Sequence, residues 1–158
     1  KLFSDSHPYF TQAYPGAEKA TENTVRQRAK DLLGKQRDEL KGKSRFLVNT
    51  VLRNETFGKD VSVSMSGIKE WLNQPHKWIM EKNAMLPEIE RILAESEYLG
   101  YGPDKHDPEI KMHLFETKVH GEKSWIIVRE LIDGSVKLHS ISDSEDITKH
   151  LTHKKRRR

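Results

Sequence analysis

The chain has 158 residues, enough for one domain with a core of its own, and 28 basic against 24 acidic residues give a formal net charge of +4. No apolar run approaches the roughly 18 residues of a membrane-spanning helix, and no secretory signal is visible. The absence of cysteine excludes disulfides and thiolate-bound zinc. The charge is local. Lys154, Lys155, Arg156, Arg157 and Arg158 are all basic, and setting those five aside leaves 23 of the 28 basic residues against 24 acidic ones, net −1. A neutral body is therefore followed by a basic tail over 152–158, which is either a non-specific holder of phosphate or a solvated end.

Residues 1–16 combine Pro8, Pro15 and Gly16 with Phe3, Tyr9, Phe10 and Tyr14, an irregular lead-in. From 17 to 40 the spacing of Val25, Ala29, Leu32 and Leu33 predicts a helix, with Leu40 further along and Gly42 as its stop. Lead-in and helix make an N-terminal region of 1–43, ahead of a domain over 44–151. Phe46, Val48, Thr50 and Leu52 alternate, as do Val61, Val63 and Met65, which predicts a hairpin around a turn-rich NETFGK. Continuation of the helix through 44–54 is the competing reading. Ser66 is a cap for a helix that ends near Asn73, because the residue before Pro75 is pushed out of helical geometry. The segment from Pro75 to Asn83 reads as a helical turn packing Trp78 and Ile79. Pro87 then opens a helix with Ile89, Ile92, Leu93 and Ser96 on its inner stripe, ended by Gly100 and Gly102.

Three strands follow, at 109–119, 123–132 and 135–142, joined by the turn signals His120-Gly121 and Asp133-Gly134. Helices first and an antiparallel meander last is an α+β order. Two-residue turns would set Val119 opposite Glu122, His113 opposite Val128, and Val128 opposite His139. One face then carries Met112, Leu114, Glu116, Trp125, Ile127, Arg129, Leu131, Val136, Leu138 and Ser140, and is expected to pack on the helices. The other carries Lys111, His113, Phe115, Thr117, Ser124, Ile126, Val128, Glu130, Lys137, His139 and Ile141, and is expected to be the working face. A one-residue bulge would exchange these faces. The expected core is Ile68, Leu72, Ile89, Ile92, Leu93, Leu114, Ile127, Leu131, Val136 and Leu138.

Two histidines and a carboxylate within two rows of a sheet suit acid–base work near neutral pH, with Lys111 and Lys137 placed to hold a phosphate; a solvated face with ordinary ion pairs is the plainer reading. Metal chemistry finds no motif: there is no HExxH, and His113, His120 and His139 lack a recognised ligand spacing. No glycine-rich phosphate loop or paired-glutamate motif supports an ADP-ribosyltransferase, and Glu116 and Glu130 fall on opposite faces.

The runs VSVSMSGIKEWLNQPHK, EKNAMLPEIERILAESEYLG, HLFET and VRELIDGSVKLHSIS resemble the large polyvalent protein-associated domain of type 3, over about 60–142. Such domains occur in very large proteins of phages and mobile elements and are related to the ends of polymorphic toxins. They are grouped with barnase-, EndoU-, colicin- and RelE-like nucleases. The resemblance implies N-terminal helices packed on one face of a roughly four-stranded antiparallel sheet, whose other face works. It implies a ribonuclease without metal or cofactor, in which the ribose 2′-hydroxyl attacks the adjacent phosphate. The matching positions are His76, Lys82, His113, Arg129 and Glu130, so the expected catalytic set is His76, Lys82, His113, Glu130 and His139. Lys111, Thr117, Arg129 and Lys137 are expected to bind substrate. RNA is the expected partner, together with a cognate immunity protein, and the site of action is the cytoplasm of a bacterial target reached by secretion or phage. An inactive nucleic-acid-binding module of the same fold stays open, as does an ADP-ribosyltransferase-type toxin.

Overall fold

The structure is a computed structural model, and it describes residues 22–155. The lead-in over 1–16, the beginning of the predicted N-terminal helix and the last three residues of the basic tail lie outside the described residues.

Helix α1, Glu22–Lys43, buries Val25, Ala29, Leu33 and Leu40, spacings of four, four and seven that keep one stripe inward. Glu22 in its first turn and Lys41 and Lys43 in its last complement the helix dipole. The predicted strand over 46–52 is not there. Arg45–Asn49 is a 3₁₀ helix that buries Leu47 and leaves Phe46 and Val48 exposed. The hairpin survives only as a bridge between Leu52 and Val61. Helix α2, Met65–Asn73, is capped two residues earlier than expected, by Ser64, whose Oγ accepts from the Gly67 amide. It ends before Pro75, as the restriction on the preceding residues requires. Helix α3 is Ile79–Ala84, a 3₁₀ turn at Leu86–Glu88 holds Pro87, and helix α4 is Ile89–Glu95.

Five strands form one antiparallel sheet: β1 Glu97–Pro103, β2 Lys111–Val119, β3 Glu122–Glu130, β4 Val136–Ser142 and β5 His153–Lys154, in the order β4-β3-β2-β1-β5. The α+β class is as expected, with five strands rather than about four. The additional pair, β1 and β5, comes from segments predicted as a helix end and a tail. Gly100 and Gly102 do not stop a helix; they lie inside β1. A Cβ on Gly102 would sit 1.9 Å from the His150 carbonyl oxygen, and one on Gly100 would sit 2.0 Å from that of His153. Glycine here lets the C-terminal segment cross β1 in van der Waals contact.

The β2–β3 register is as predicted, with His113 opposite Val128 and Val119 opposite Glu122. The turn supports it: His120 has φ 51° and Gly121 φ 77°, the left-handed pair of a two-residue hairpin. The β3–β4 register departs in part. Glu130 pairs with Val136 and Val128 with Leu138, so Ile132, Asp133 and Gly134 form a three-residue loop with Gly134 at φ 87°. A bulge at His139 absorbs the extra residue, and Ile127 opposite Ser140 and Trp125 opposite Ser142 fall back into the predicted register.

On β2 and β3 the helices pack on the opposite face from the one predicted, while Val136 and Leu138 face them as expected because the slipped register shifts the first half of β4. Phe115, Val119, Ile126, Val128, Val136, Leu138 and Ile141 face α2 and α4 and join Ile68, Trp71, Leu72, Ile89 and Leu93 in the main core. The face expected to meet the helices forms a smaller core of Leu99, Met112, Leu114, Trp125 and Ile127, covered by Ile147 and Leu151 from the C-terminal segment. Neither broad face of the sheet is open. The mixed face won the helices because its polar groups lie toward the strand ends, while its centre, Phe115, Ile126 and Val128, is apolar and fully buried.

Candidate functional site

The expected catalytic residues do not meet in one place. His76 lies in the turn between α2 and α3 and is 6 % exposed. Its Nδ1 accepts from the Trp78 amide at 2.8 Å, so its Nε2 carries the proton and donates to Ser124 Oγ at 2.9 Å. Burial pushes its pKa down to about 4, against the pull of Asp143. Lys82 is fully buried in α3; its Nζ donates to the Trp71 carbonyl while the Trp71 indole donates back to the Lys82 carbonyl at 3.1 Å. Burial, and the Arg37 charge after it, bring the Lys82 pKa down to about 7. Both groups are fasteners of the helical layer.

His113 is a core residue, 3 % exposed, not a residue of an open face. Its ring lies 4.7 Å from that of Phe57 and 5.3 Å from that of Tyr101. Tyr98 Oη is 2.8 Å from its Nδ1, and Glu130 Oε1 is 2.9 Å from its Nε2. Lys59 lies 3.0 Å from the same carboxylate oxygen. Burial opposes charge on Glu130, but the hydrogen bonds from His113 and Lys59 outweigh it and hold the carboxyl below its usual range. Burial raises the Tyr98 hydroxyl to about 12. The proton order is therefore fixed: Tyr98 donates to His113 Nδ1, and His113 Nε2 donates to Glu130. Burial keeps His113 below the ordinary histidine pKa even beside that carboxylate.

The remaining predicted residues divide between two ends of the sheet. Thr117 does not stand beside His113; with Glu116, Lys118 and Lys123 it lines a cleft of about 500 Å³ against α4, opposite Arg91 and Ile92. Lys111 is exposed, with its Nζ 5.1 Å from the centre of the Tyr101 ring. Lys137 pairs with Arg129, not with Glu130 in the expected row beside that of His113, whereas Lys111 does pair with Glu130.

His139, Arg129 and Lys137 do come together. They line a second cleft, of about 420 Å³, with Ser64, Ser66, Gly67 and Glu70 at the start of α2. The bulge takes His139 out of strict alternation, so its ring is only partly buried. Its Nδ1 lies 2.9 Å from Ser140 Oγ, and among the described residues its Nε2 has no partner. Burial, then the Arg129 charge, lower the His139 pKa, while Glu70 and Asp104 pull it upward. Arg129 is braced by Asp104 at 3.4 Å, and Asp104 also accepts from the amides of His106 and Asp107, which ties the β1–β2 loop to the cleft wall. Gly67 is needed at the cleft floor, since a Cβ there would sit 2.8 Å from the Leu138 carbonyl oxygen. Glu70 was read from sequence only as an acidic residue early in the helix, without a functional role. The signal available was its place six residues past the Ser64 cap, on the α2 face that looks at the bulge, but the bulge itself left no mark in the sequence.

A strand-turn bulge thus makes a cleft that offers a half-exposed imidazole, a carboxylate and two cations. That set can exchange protons and hold an anion. Among the described residues no three His, Asp or Glu side chains converge to hold a metal ion, and no helix is long and apolar enough to cross a membrane. No curated protein and no solved structure matches the chain significantly. Residues 22–139, most of the described chain and more than the resemblance of 60–142 covered, match the model of the large polyvalent protein-associated domain 3 family, and the chain belongs to that family.

Proposed function

We propose that this domain cleaves RNA by 2′-hydroxyl attack, and that the chemistry belongs to the cleft around His139. The observation that carries the reading is the bulge that sets His139 in one cleft with Glu70, Arg129 and Lys137. In this scheme Glu70 takes the proton of the 2′-hydroxyl, whose oxygen bonds to phosphorus. His139 Nε2 gives a proton to the departing 5′-oxygen as its bond to phosphorus breaks, leaving a 2′,3′-cyclic phosphate and a 5′-hydroxyl. Arg129 and Lys137 stabilise the charge that builds on the non-bridging oxygens. A bound phosphodiester would raise the proton affinity of His139, offsetting the burial that lowers it when the cleft is empty. His113, Glu130, His76 and Lys82 take structural parts in this reading. The domain would act on RNA in the cytoplasm of a bacterial cell reached by phage or secretion, and an immunity protein would cover this cleft.

The test is single-turnover cleavage of a fluorescent RNA. His139→Ala and Glu70→Gln should each slow cleavage about 10²–10⁴-fold without changing the circular dichroism spectrum. EDTA should leave the rate unchanged. Cleavage that survives His139→Ala, or that requires added divalent metal, overturns the scheme. A chain that binds RNA and never cuts it is the inactive binding module, a reading favoured by the burial of His76, Lys82 and His113.

A further inference from the structure

A second feature lies at the other edge of the sheet and has no part in that chemistry. Tyr101 of β1 and His153 of β5 are register partners. Their rings are parallel, with centroids 4.4 Å apart and planes 8° from coplanar. With His113 opposite Tyr101 on β2, they complete a row of three rings that runs from the core to the sheet edge. β5 is the last strand, and His153 is exposed. Among the described residues no ring other than Tyr101 stacks on it. The ring is steadied by Thr152 Oγ1, 3.0 Å from its Nδ1. Lys111 lies over the Tyr101 ring at 5.1 Å, and Lys154 and Lys155 follow His153 in the chain, with three arginines after them in sequence.

We propose that the His153–Tyr101 stack is a platform for one base of a single-stranded nucleic acid, with Lys111, Lys154 and Lys155 receiving the adjacent phosphates. A base offers the flat apolar surface that continues such a stack, and its backbone carries the charge the flanking lysines lack. The sheet edge suits a single strand and not a duplex, because paired bases are already stacked on one another and show no free face. Since every base has a π-face, the platform should hold purines and pyrimidines with little discrimination. The rings are held before any ligand arrives, so little rotamer entropy is lost on binding. The platform shares with the proposed function only the class of polymer. It needs no cleavage, and binding to DNA serves to test it separately.

The experiment is fluorescence anisotropy of a labelled single-stranded DNA, which has no 2′-hydroxyl and cannot be cut by the proposed route, titrated with the full chain. His153→Ala should weaken binding about 10-fold. His153→Phe, which keeps a ring and loses the imidazole nitrogens, should bind within about twofold of the original chain. Lys111→Gln should weaken binding and lower the slope of log affinity against log salt by about 0.7. Duplex of the same length should bind more weakly than single strand. Unchanged binding by His153→Ala, or equal affinity for duplex and single strand, overturns the platform and leaves only general electrostatics. If binding depends on His153 while RNA is never cut, the platform stands and the ribonuclease reading falls. If RNA is cut while His153→Ala binds normally, the reverse holds.

Discussion

His76 shows how a histidine can be a conspicuous sequence signal and still have no chemistry to offer. Its position after Pro75 and its family match drew attention to it, yet both ring nitrogens are committed, one to the Trp78 amide and one to Ser124. What the sequence could not show is that the turn carrying it folds back under the sheet end. The consequence is a pH dependence of stability. In the unfolded chain His76 titrates near its ordinary value of 6.5, while in the folded chain it titrates near 4. Between these values the unfolded state binds more protons, so stability is full above about 6.5 and falls as the pH drops toward 4. The slope from this residue is at most roughly 1.4 kcal/mol per pH unit. His113 is shifted in the same direction and adds to the loss. Urea midpoints at pH 7.5 and pH 5 should therefore differ clearly. His76→Asn, whose side-chain oxygen can still accept from the Trp78 amide, should narrow the difference. An unchanged difference would mean that His76 is not held neutral in the folded chain. The sequence put His139 on a strand beside cations, and Arg129 and Lys137 do line one cleft with it. Its other neighbours were misassigned because one residue of register decides which side chains share a cleft.

At the scale of elements, the turns carried most of what could be read. His120-Gly121 specified a two-residue hairpin and fixed the whole β2–β3 pairing. Asp133-Gly134 looked equivalent, but Ile132 joins the loop, and the Gly134 amide bonds back to the Leu131 carbonyl. The resulting one-residue slip is undone at His139, where a bulge costs little because α2 approaches the strand at Gly67. Alternation signals failed around 46–52 for a different reason: Phe46 and Val48 are exposed, so their spacing reports no buried face. Strand β1 escaped notice because its two glycines are the usual mark of a helix stop. In β1 they make room for a neighbouring chain segment, and that role can be tested. Gly102→Ala places a Cβ where the His150 carbonyl oxygen now lies, and neither backbone can yield without breaking the contact. The expected result is release of the C-terminal segment, with a loss of about 2 kcal/mol or more. Hydrogen exchange should become fast at the Thr152 and Lys155 amides, which now bond to Tyr101 and Leu99 carbonyls, while the β2–β3 amides stay protected. Persistent protection at Thr152 would show that the segment is anchored by something other than its fit over glycine.

At the scale of the whole molecule, the sheet is a wall between two cores of unequal size, and they are closed from opposite ends of the chain. Helices that precede the sheet in sequence close the larger one, with α1 tied on through the Arg37 hydrogen bond to the Leu72 carbonyl and that of Gln36 to the Met80 carbonyl. The smaller core is closed by Ile147, Leu151 and the edge pairing of β5. Sequence patterning showed one apolar face of the sheet and took the other for a working face, although both are covered, one by helices and one by a short C-terminal segment. The family match stops at 139, before any of this second cover. A domain cut to the family boundary would expose Leu99, Met112, Leu114 and Trp125, all now at most 6 % exposed. Burial of each such side chain contributes about 1.5–3 kcal/mol, against a typical total stability of about 5–15 kcal/mol. A chain ended after Asp143 keeps the carboxylate that accepts from the Lys77 amide and so isolates the loss of the cover. It should bind a hydrophobic dye, show red-shifted tryptophan emission as the Trp125 side of the sheet meets water, and unfold at a markedly lower denaturant concentration. Equal midpoints for the shortened and full chains would mean that the second core is stable without its lid. In that case β5, and the His153 ring it carries to the sheet edge, would be free to move for binding instead of being held by the fold.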